Sequence, residues 1–382
     1  MRIAIDLITA EYVPGGMLLA TRALLHGLAR VDRNNEYVVV TVRPEAYQEL
    51  AKFPNIQVHA ASLPLNRGIL IQHQLLGARI IRSVKPDLLH TPAFATPRGW
   101  YGPLVTTVND LAFLKVPEQS SWYPRFYHEH LLRASVDKSQ RVIAISEQTR
   151  EELTTYWSVP TKKIHLIHHA LRPEISECHI SEEDIVRMRQ RYGPRYLLHV
   201  GRIMPRKNVE RLLEAFDLLA GDSEDLHLVL TGGLGYGSEE AVQLMEKSPY
   251  RERIHQVGWV PEAEMGAIYA GASALVFPSK HEGQGLPTLE AMVCGTPVVA
   301  SYEAASAEIA GDAVLRANCT SARPLADAIR HVLTNEELRR RLIQNGHQQV
   351  KAFHYENCAR QTMEVYQEAK DSYQQSGAEA NT

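Results

Sequence analysis

Residues 278–301 read PSKHEGQGLPTLEAMVCGTPVVAS. Just before and into this stretch, SALVFPS is a short apolar run bounded by turn residues, the pattern of a buried strand. A loop holding Gly283 and Gly285 follows, and a helix is expected from around Pro287, whose ring suits a first helical position. TPVVAS then reads as a second strand. Strand, glycine loop, helix and strand make one parallel βαβ unit. Small residues in the loop let backbone come close to a ligand, and the unpaired N–H groups at the helix start can donate to phosphate. Glu282 stands in the loop and Glu290 is read into the first helical turn. One carboxylate can therefore face a ligand from the loop while the other reaches a polar neighbour from the helix.

Working outward, the same rhythm fills the chain. The first half alternates RIAIDL, a helix near 17–31, EYVVVTV, a helix near 67–84, DLLH, PLVTTV, a helix near 122–137 and RVIAIS. The second half runs RYLLHV, a helix over 208–219, LHLVLTG, RIHQVGWV, SALVFPS and TPVVAS, with helices from Pro324 onward. At roughly 100–200 residues per domain, 382 residues suit two domains. The boundaries read as 1–170 for a first doubly wound domain, 171–194 for a linker with Pro173, acidic residues and Gly193-Pro194, and 195–350 for a second doubly wound domain. Residues 351–382 read as a helix returning toward the first domain, with a tail of low order after Tyr373. Two open α/β sheets whose strand ends face a shared central cleft would bind ligands there.

Apolar residues are 45% and charged residues 22%, so neither disorder nor a fibrous fold is indicated. MRIAIDLITA has no long apolar stretch of signal type, and no window approaches a membrane span. Cys178, Cys294, Cys319 and Cys358 form no C-x-x-C pair, which speaks against a zinc site or a disulfide framework. A cytoplasmic setting is expected, with a peripheral place at the inner face of the membrane left open. Residues 1–170 carry 19 Lys/Arg against 14 Asp/Glu, and residues 171–382 carry 22 against 30. That asymmetry suits an anionic partner for the first half, a membrane surface or a lipid phosphate; ordinary scatter of solvated charge explains it equally well. Nothing suggests a nucleic-acid partner.

A second segment, VGRIMPRKNVERLLEAF over residues 200–216, gives a strand, a short turn and a helix with Asn208 as N-cap. Arg202 and Lys207 then sit beside a helix N-terminus, where cations and backbone donors converge on an anion. LTGGLGYG at 230–237 and VGWVP at 257–261 are loops after strands, and a plain turn accounts for the glycine cluster. His165, His168 and His169 cluster near a strand end without an acidic partner of evident spacing, so no metal site is expected.

These segments together resemble the family-4 retaining glycosyltransferases of GT-B fold, whose core is E-G-x-G-L-P-x-x-E-A-M-x-x-G-x-P-V-V-A-S. The resemblance implies two Rossmann-like domains facing a cleft and transfer of a mannose- or glucose-class hexose, with retention, from a GDP- or UDP-sugar to a glycan or lipid-linked acceptor. It implies that Arg202, Lys207, Gly16, Gly285 and Leu286 hold the diphosphate, that Glu290, Gly232, Gly258 and Trp259 border the nucleoside, and that Glu282, Gly283 and Gln284 contact the sugar. Gly15 and Gly16 of VPGGM at 13–17 resemble the family's glycine loop. TVNDLAFLKVPE at 107–118 resembles a segment usually read V-H-D-L. Glu282, Asn109 and Asp110 are thereby the catalytic candidates, with Asn109 in place of histidine. IAISEQTR at 143–150 makes Ser146 an N-cap, IHHAL at 167–171 stands where the family has an Asn-Gly turn, and His281 replaces an aromatic residue. No D-x-D occurs, so cationic side chains and backbone N–H groups would neutralise the leaving group without metal or cofactor. A non-catalytic nucleotide-sugar-binding subunit is the alternative reading. A pyridoxal-phosphate-dependent phosphorylase is not favoured, since no segment resembles its lysine site.

Overall fold

The computed structural model describes residues 1–12, 15–64, 68–115, 127–302 and 305–379. Val13 and Pro14 of the glycine loop, and residues 116–126 with the start of the helix expected near 122–137, lie outside these. The chain divides into two units, the first built from most of residues 1–172 together with the last helix, the second from Pro173–Phe353.

In the first unit, runs such as IAID and YVVVT are buried along their length because a parallel sheet is covered on both faces. The strands are β1 (Arg2–Asp6), β2 (Glu36–Thr41), β3 (Ile56–Ala60), β4 (Leu88–Thr91), β5 (Leu104–Val108), β6 (Arg141–Ala144) and β7 (Ile164–Leu166). They pair in parallel in the order β3-β2-β1-β4-β5-β6-β7, so the winding reverses between β1 and β4. The expected helix near 17–31 runs Gly16–Val31, and the one near 67–84 runs Ile69–Ser83. Within 122–137, Tyr127–Leu132 is a π-type turn leading into the helix Arg133–Lys138. The helix Glu147–Trp157 starts at Ser146, whose Oγ accepts from Thr149 N at 3.1 Å.

The helix Tyr355–Glu379 packs against Gly16–Val31. Gly27 permits it, because a Cβ there would lie 2.4 Å from the Tyr355 carbonyl oxygen. Tyr366 OH meets His90 Nδ1 at 2.8 Å from the same helix. The tail expected to lose order after Tyr373 is instead helical to Glu379, and Tyr373 OH donates to Tyr101 O at 2.6 Å. Glu368 of this helix lies 3.3 Å from His165 Nε2, so that histidine does have an acidic partner, brought by tertiary packing.

The second unit has β8 (Arg195–Val200), β9 (Leu226–Thr231), β10 (Ile254–Gly258), β11 (Ala274–Phe277), β12 (Val298–Ser301) and β13 (Val314–Ala317). The parallel order is β10-β9-β8-β11-β12-β13, with reversal between β8 and β11. One face carries a core of Leu212, Leu213 and Phe216 from the helix Val209–Ala220 against Leu197, Leu228 and Val276 of the strands. Residues 171–194, expected to link, are mostly structured: Pro173–Ser176 and Glu182–Tyr192 are helical. Ser181 and Asp184 close a capping box on the latter, which supplies two orphan donors of its first turn with acceptors. It packs against the helix Glu262–Gly271. The four cysteines are free thiols; Cys178 and Cys294 nevertheless meet, and that hydrogen bond, against the opposing effect of burial, lowers the Cys178 thiol to about 7. Among the described residues no helix is long and apolar enough to cross a membrane.

Candidate functional site

In the second unit the loops after β8 and β11 flank the point where the winding reverses, the place where open α/β sheets bind ligands. The loop after β8 passes through Gly201 and the tight turn Pro205–Lys207 to Asn208 at φ 58°. Asn208 precedes the helix Val209–Ala220 but does not cap it with its side chain, contrary to the sequence reading. A left-handed backbone turns the amide elsewhere: Nδ2 donates to Pro278 O at 3.1 Å and Cys319 O at 2.8 Å. Asn208 thus ties together the loops that follow β8, β11 and β13.

This tie sets Lys207 against Glu282. Lys207 Nζ lies 2.6 Å from Glu282 Oε1, and Arg206 Nη1 lies 3.2 Å from Oε2. Both Lys207 and Glu282 are buried, and Lys207 Nζ stands 4.9 Å above the Phe277 ring centroid. Burial alone pushes the Glu282 carboxyl up. The charges of Lys207 and then Arg206 outweigh it and bring the carboxyl down to about 2. His199, stacked on Phe277, donates from Nδ1 to Val276 O at 3.1 Å; burial and then Lys207 lower it to about 4, so the ring is neutral near pH 7. Arg206 and His199 were not singled out in the sequence. Arg202, which was, is exposed, and the guanidinium on Glu282 is that of Arg206.

Gly283 and Gln284 are buried in the same loop, which ends at Gly285 with φ 94°. A Cβ on Gly285 would lie 2.6 Å from Ser306 Cβ, so both backbone sign and space demand glycine. Leu286 and Pro287 open the helix Leu286–Val293. Glu290 is its fifth residue, hence beyond the first turn where it was expected, and the helix dipole does not account for its place. Its buried Oε2 accepts from Tyr269 OH at 2.7 Å. Gly232 and Gly258, both at positive φ, are joined by a 2.5 Å bond from Gly232 N to Gly258 O, and Trp259 beside them is exposed.

In the first unit, Gly16 is the exposed first residue of its helix. Asn109 and Asp110 follow β5. Asp110 Oδ1 accepts from Ala112 N at 3.1 Å and so holds the turn into the short helix Ala112–Lys115. Asn109 Oδ1 meets His169 Nε2 at 2.6 Å, a pairing the sequence reading did not anticipate. His169 is lowered to about 4 by burial and then by His168. Among the described residues no group of three or more His, Cys, Asp and Glu is placed to hold a metal.

The buried Lys207–Glu282 pair, with Arg206 on the same carboxylate, thus stands beside a glycine-led helix start where the winding of a doubly wound domain reverses. The chain belongs to the glycosyltransferases: residues 14–175 match Glycosyltransferase Family 4, and residues 181–349 match Glycosyl transferases group 1. It is similar to O-antigen chain mannosyltransferase B of Escherichia coli, 30% identical over 77% of this chain and 77% of that protein. It is also 24% identical to the serotype-specific mannosyltransferase WbdA of Escherichia coli over 93% of this chain, which spans 46% of that longer protein. The fold matches HepE of Anabaena, solved with UDP and glucose, at a TM-score of 0.74 and 20% identity over 96% of this chain and 99% of that one. WaaG, a glycosyltransferase involved in lipopolysaccharide biosynthesis, matches at 0.74 and 18% over 95% and 99%. The chain is a GT-B glycosyltransferase, an enzyme of hexosyl transfer in glycan biosynthesis.

Proposed function

We propose that this chain is a retaining, metal-independent transferase moving a mannose-class hexose from a GDP- or UDP-linked donor to a glycan or lipid-linked acceptor. The observation that carries the reading is the buried Lys207–Glu282 pair, with half-buried Arg206 on the same carboxylate, beside the start of the helix Leu286–Val293. Its cations, with Arg202 and the N–H groups at Gly285 and Leu286, suit a diphosphate. In the step itself the bond from the sugar C1 to the diphosphate oxygen breaks and a bond from C1 to the acceptor oxygen forms on the same face. The acceptor proton passes to the departing diphosphate oxygen. Glu282, with its carboxyl at about 2, stays ionised near neutral pH and so accepts hydrogen bonds from sugar hydroxyls rather than delivering a proton. Glu290, oriented by Tyr269, takes the ribose. The positive balance of residues 1–170 supports contact with an anionic membrane surface.

The test is transfer from GDP-mannose and UDP-glucose to a mannose-bearing acceptor, with and without EDTA. Transfer is expected to survive chelation, since the sequence has no D-x-D and the site has cationic side chains. Loss of turnover in EDTA that manganese or magnesium restores overturns the proposed charge neutralisation. Inversion at C1 in the product overturns the stereochemistry.

A further inference from the structure

Within the second unit lies a cavity of about 540 Å³ that the reaction proposed above does not use. That volume is in the range of small-molecule pockets, and the cavity stands beyond the carboxyl ends of β11, β12 and β13, where parallel sheets bind ligands. Lys207 and Glu282 are not among its lining residues. The loop after β11 separates the two places: Pro278 and Lys280 line the cavity, whereas Ser279, His281 and Glu282 are buried and do not. Asn208 belongs to the wall, its amide joining Pro278 O to Cys319 O.

Two cations line the cavity, Arg211 and Lys280, and both are answered by carboxylates of the same helix. Arg211 Nη1 donates to both oxygens of Glu214, at 2.6 Å to Oε1. Burial raises the Glu210 carboxyl, and the Lys280 charge acts to bring it down. Charge is thus balanced within the wall, unlike the Lys207 site, where two cations share one carboxylate. The remaining groups are uncharged. Tyr302 is 61% exposed at the rim, with its backbone held by a 3.3 Å bond from its N to Ala317 O. Asn318 Oδ1 accepts from Thr320 N at 2.9 Å and Thr320 Oγ1 at 2.6 Å. That leaves Asn318 Nδ2 as a donor and the Thr320 hydroxyl oxygen as an acceptor beside it. A donor next to an acceptor matches neighbouring sugar hydroxyls, and an exposed ring matches the C–H face of a pyranose.

We propose that this cavity is a second carbohydrate site, which holds a neutral oligosaccharide of hexose units apart from the reacting centre, with one pyranose on Tyr302 and its hydroxyls on Asn318 and Thr320. It concerns retention of the glycan rather than the transfer step, and it does not depend on which donor is used.

Mannotriose and maltotriose, with inorganic phosphate as the anionic probe, are titrated into the parent, Tyr302→Ala, Asn318→Ala and Lys207→Ala by calorimetry, and into Tyr302→Trp by fluorescence. Tyr302→Ala should weaken trisaccharide binding about threefold to tenfold, and Asn318→Ala by a similar factor. Lys207→Ala should leave it unchanged. Tyr302→Trp keeps a ring, and its indole emission should change on adding trisaccharide by more than the parent's emission does. Failure of both trisaccharides to bind, or equal affinity in the parent and Tyr302→Ala, overturns the proposal. So does a loss in Lys207→Ala, which would place the saccharide at the transfer centre, or an indole that answers phosphate and not trisaccharide. None of these readouts requires turnover, so their failure leaves the reaction proposed above standing, and a failure of transfer leaves this site standing.

Discussion

Glu282→Gln perturbs the centre of the cluster with little change of shape. The carboxyl stands at about 2 against an ordinary 4.5, and at about 1.4 kcal/mol per unit the gap corresponds to roughly 3 kcal/mol of preference for the charged form. The amide removes that pairing and leaves Lys207 buried without its counterion, a change whose typical cost is about 3–5 kcal/mol. Because the folded-state value is depressed, the stabilisation is complete above about pH 4.5 and is lost as pH falls toward 2. The parent should therefore exceed the variant by about 3 kcal/mol at pH 7, with about 2 kcal/mol of that difference gone by pH 3. Urea unfolding at a series of pH values measures it. Nucleoside diphosphate affinity should not fall, since removal of a negative charge leaves Lys207 and Arg206 more available to phosphate, while transfer should drop. Equal stabilities at pH 7, or a difference that ignores pH below 4.5, would refute the electrostatic account of this site.

Lys207→Ala should weaken nucleoside diphosphate binding more than ~10-fold, and calorimetry with the bare nucleoside should show a much smaller loss; an equal loss would move the diphosphate elsewhere. Glu290→Gln should weaken even free nucleotide, whereas Tyr269→Phe, which removes only the 2.7 Å orienting bond, should do so to a lesser degree. Asn208→Ala should destabilise by about 1–3 kcal/mol, because two buried carbonyls lose their donor and alanine enters a left-handed backbone. Asn208→Gly removes the same bonds but fits that backbone, so thermal denaturation should place it between parent and alanine.

The buried centre of each sheet was legible because a parallel strand covered on both faces is a continuous apolar run: IAID, YVVVT, LLHV and ALVF announce themselves. The strands that escaped, IQVHA, IHL and VLRA, are β3, β7 and β13, each at a sheet edge. An edge strand is half exposed and alternates or shortens, so its pattern is faint. The helix Glu262–Gly271 escaped for the opposite reason, since Met265 through Tyr269 are all buried and give no periodic contrast. At the site, Glu282, Lys207 and Gly285 could be picked out because each lies in a local pattern. Arg206 and Glu282 lie 76 positions apart and Lys207 and Glu282 75, brought together only because β8 and β11 are adjacent strands, and the partnership of Asn109 with His169 spans 60 positions. Local spacing carries no trace of either. Asn208 misled because an asparagine before a helix normally caps it, and nothing nearby announces a left-handed backbone.

The first unit is made from both ends of the chain, and that has a consequence for the order in which the molecule is completed. During synthesis the helix Gly16–Val31 emerges early, yet the surface around Gly27 is covered only when Tyr355 and Ala359 arrive, more than 300 residues later. All strands of the second unit are by then available, since its residues end at Phe353. The unit that begins the chain is thus the last to close. Until it does, His90 in β4 lacks Tyr366, and a nascent chain must carry that unfinished surface past every residue of its other half.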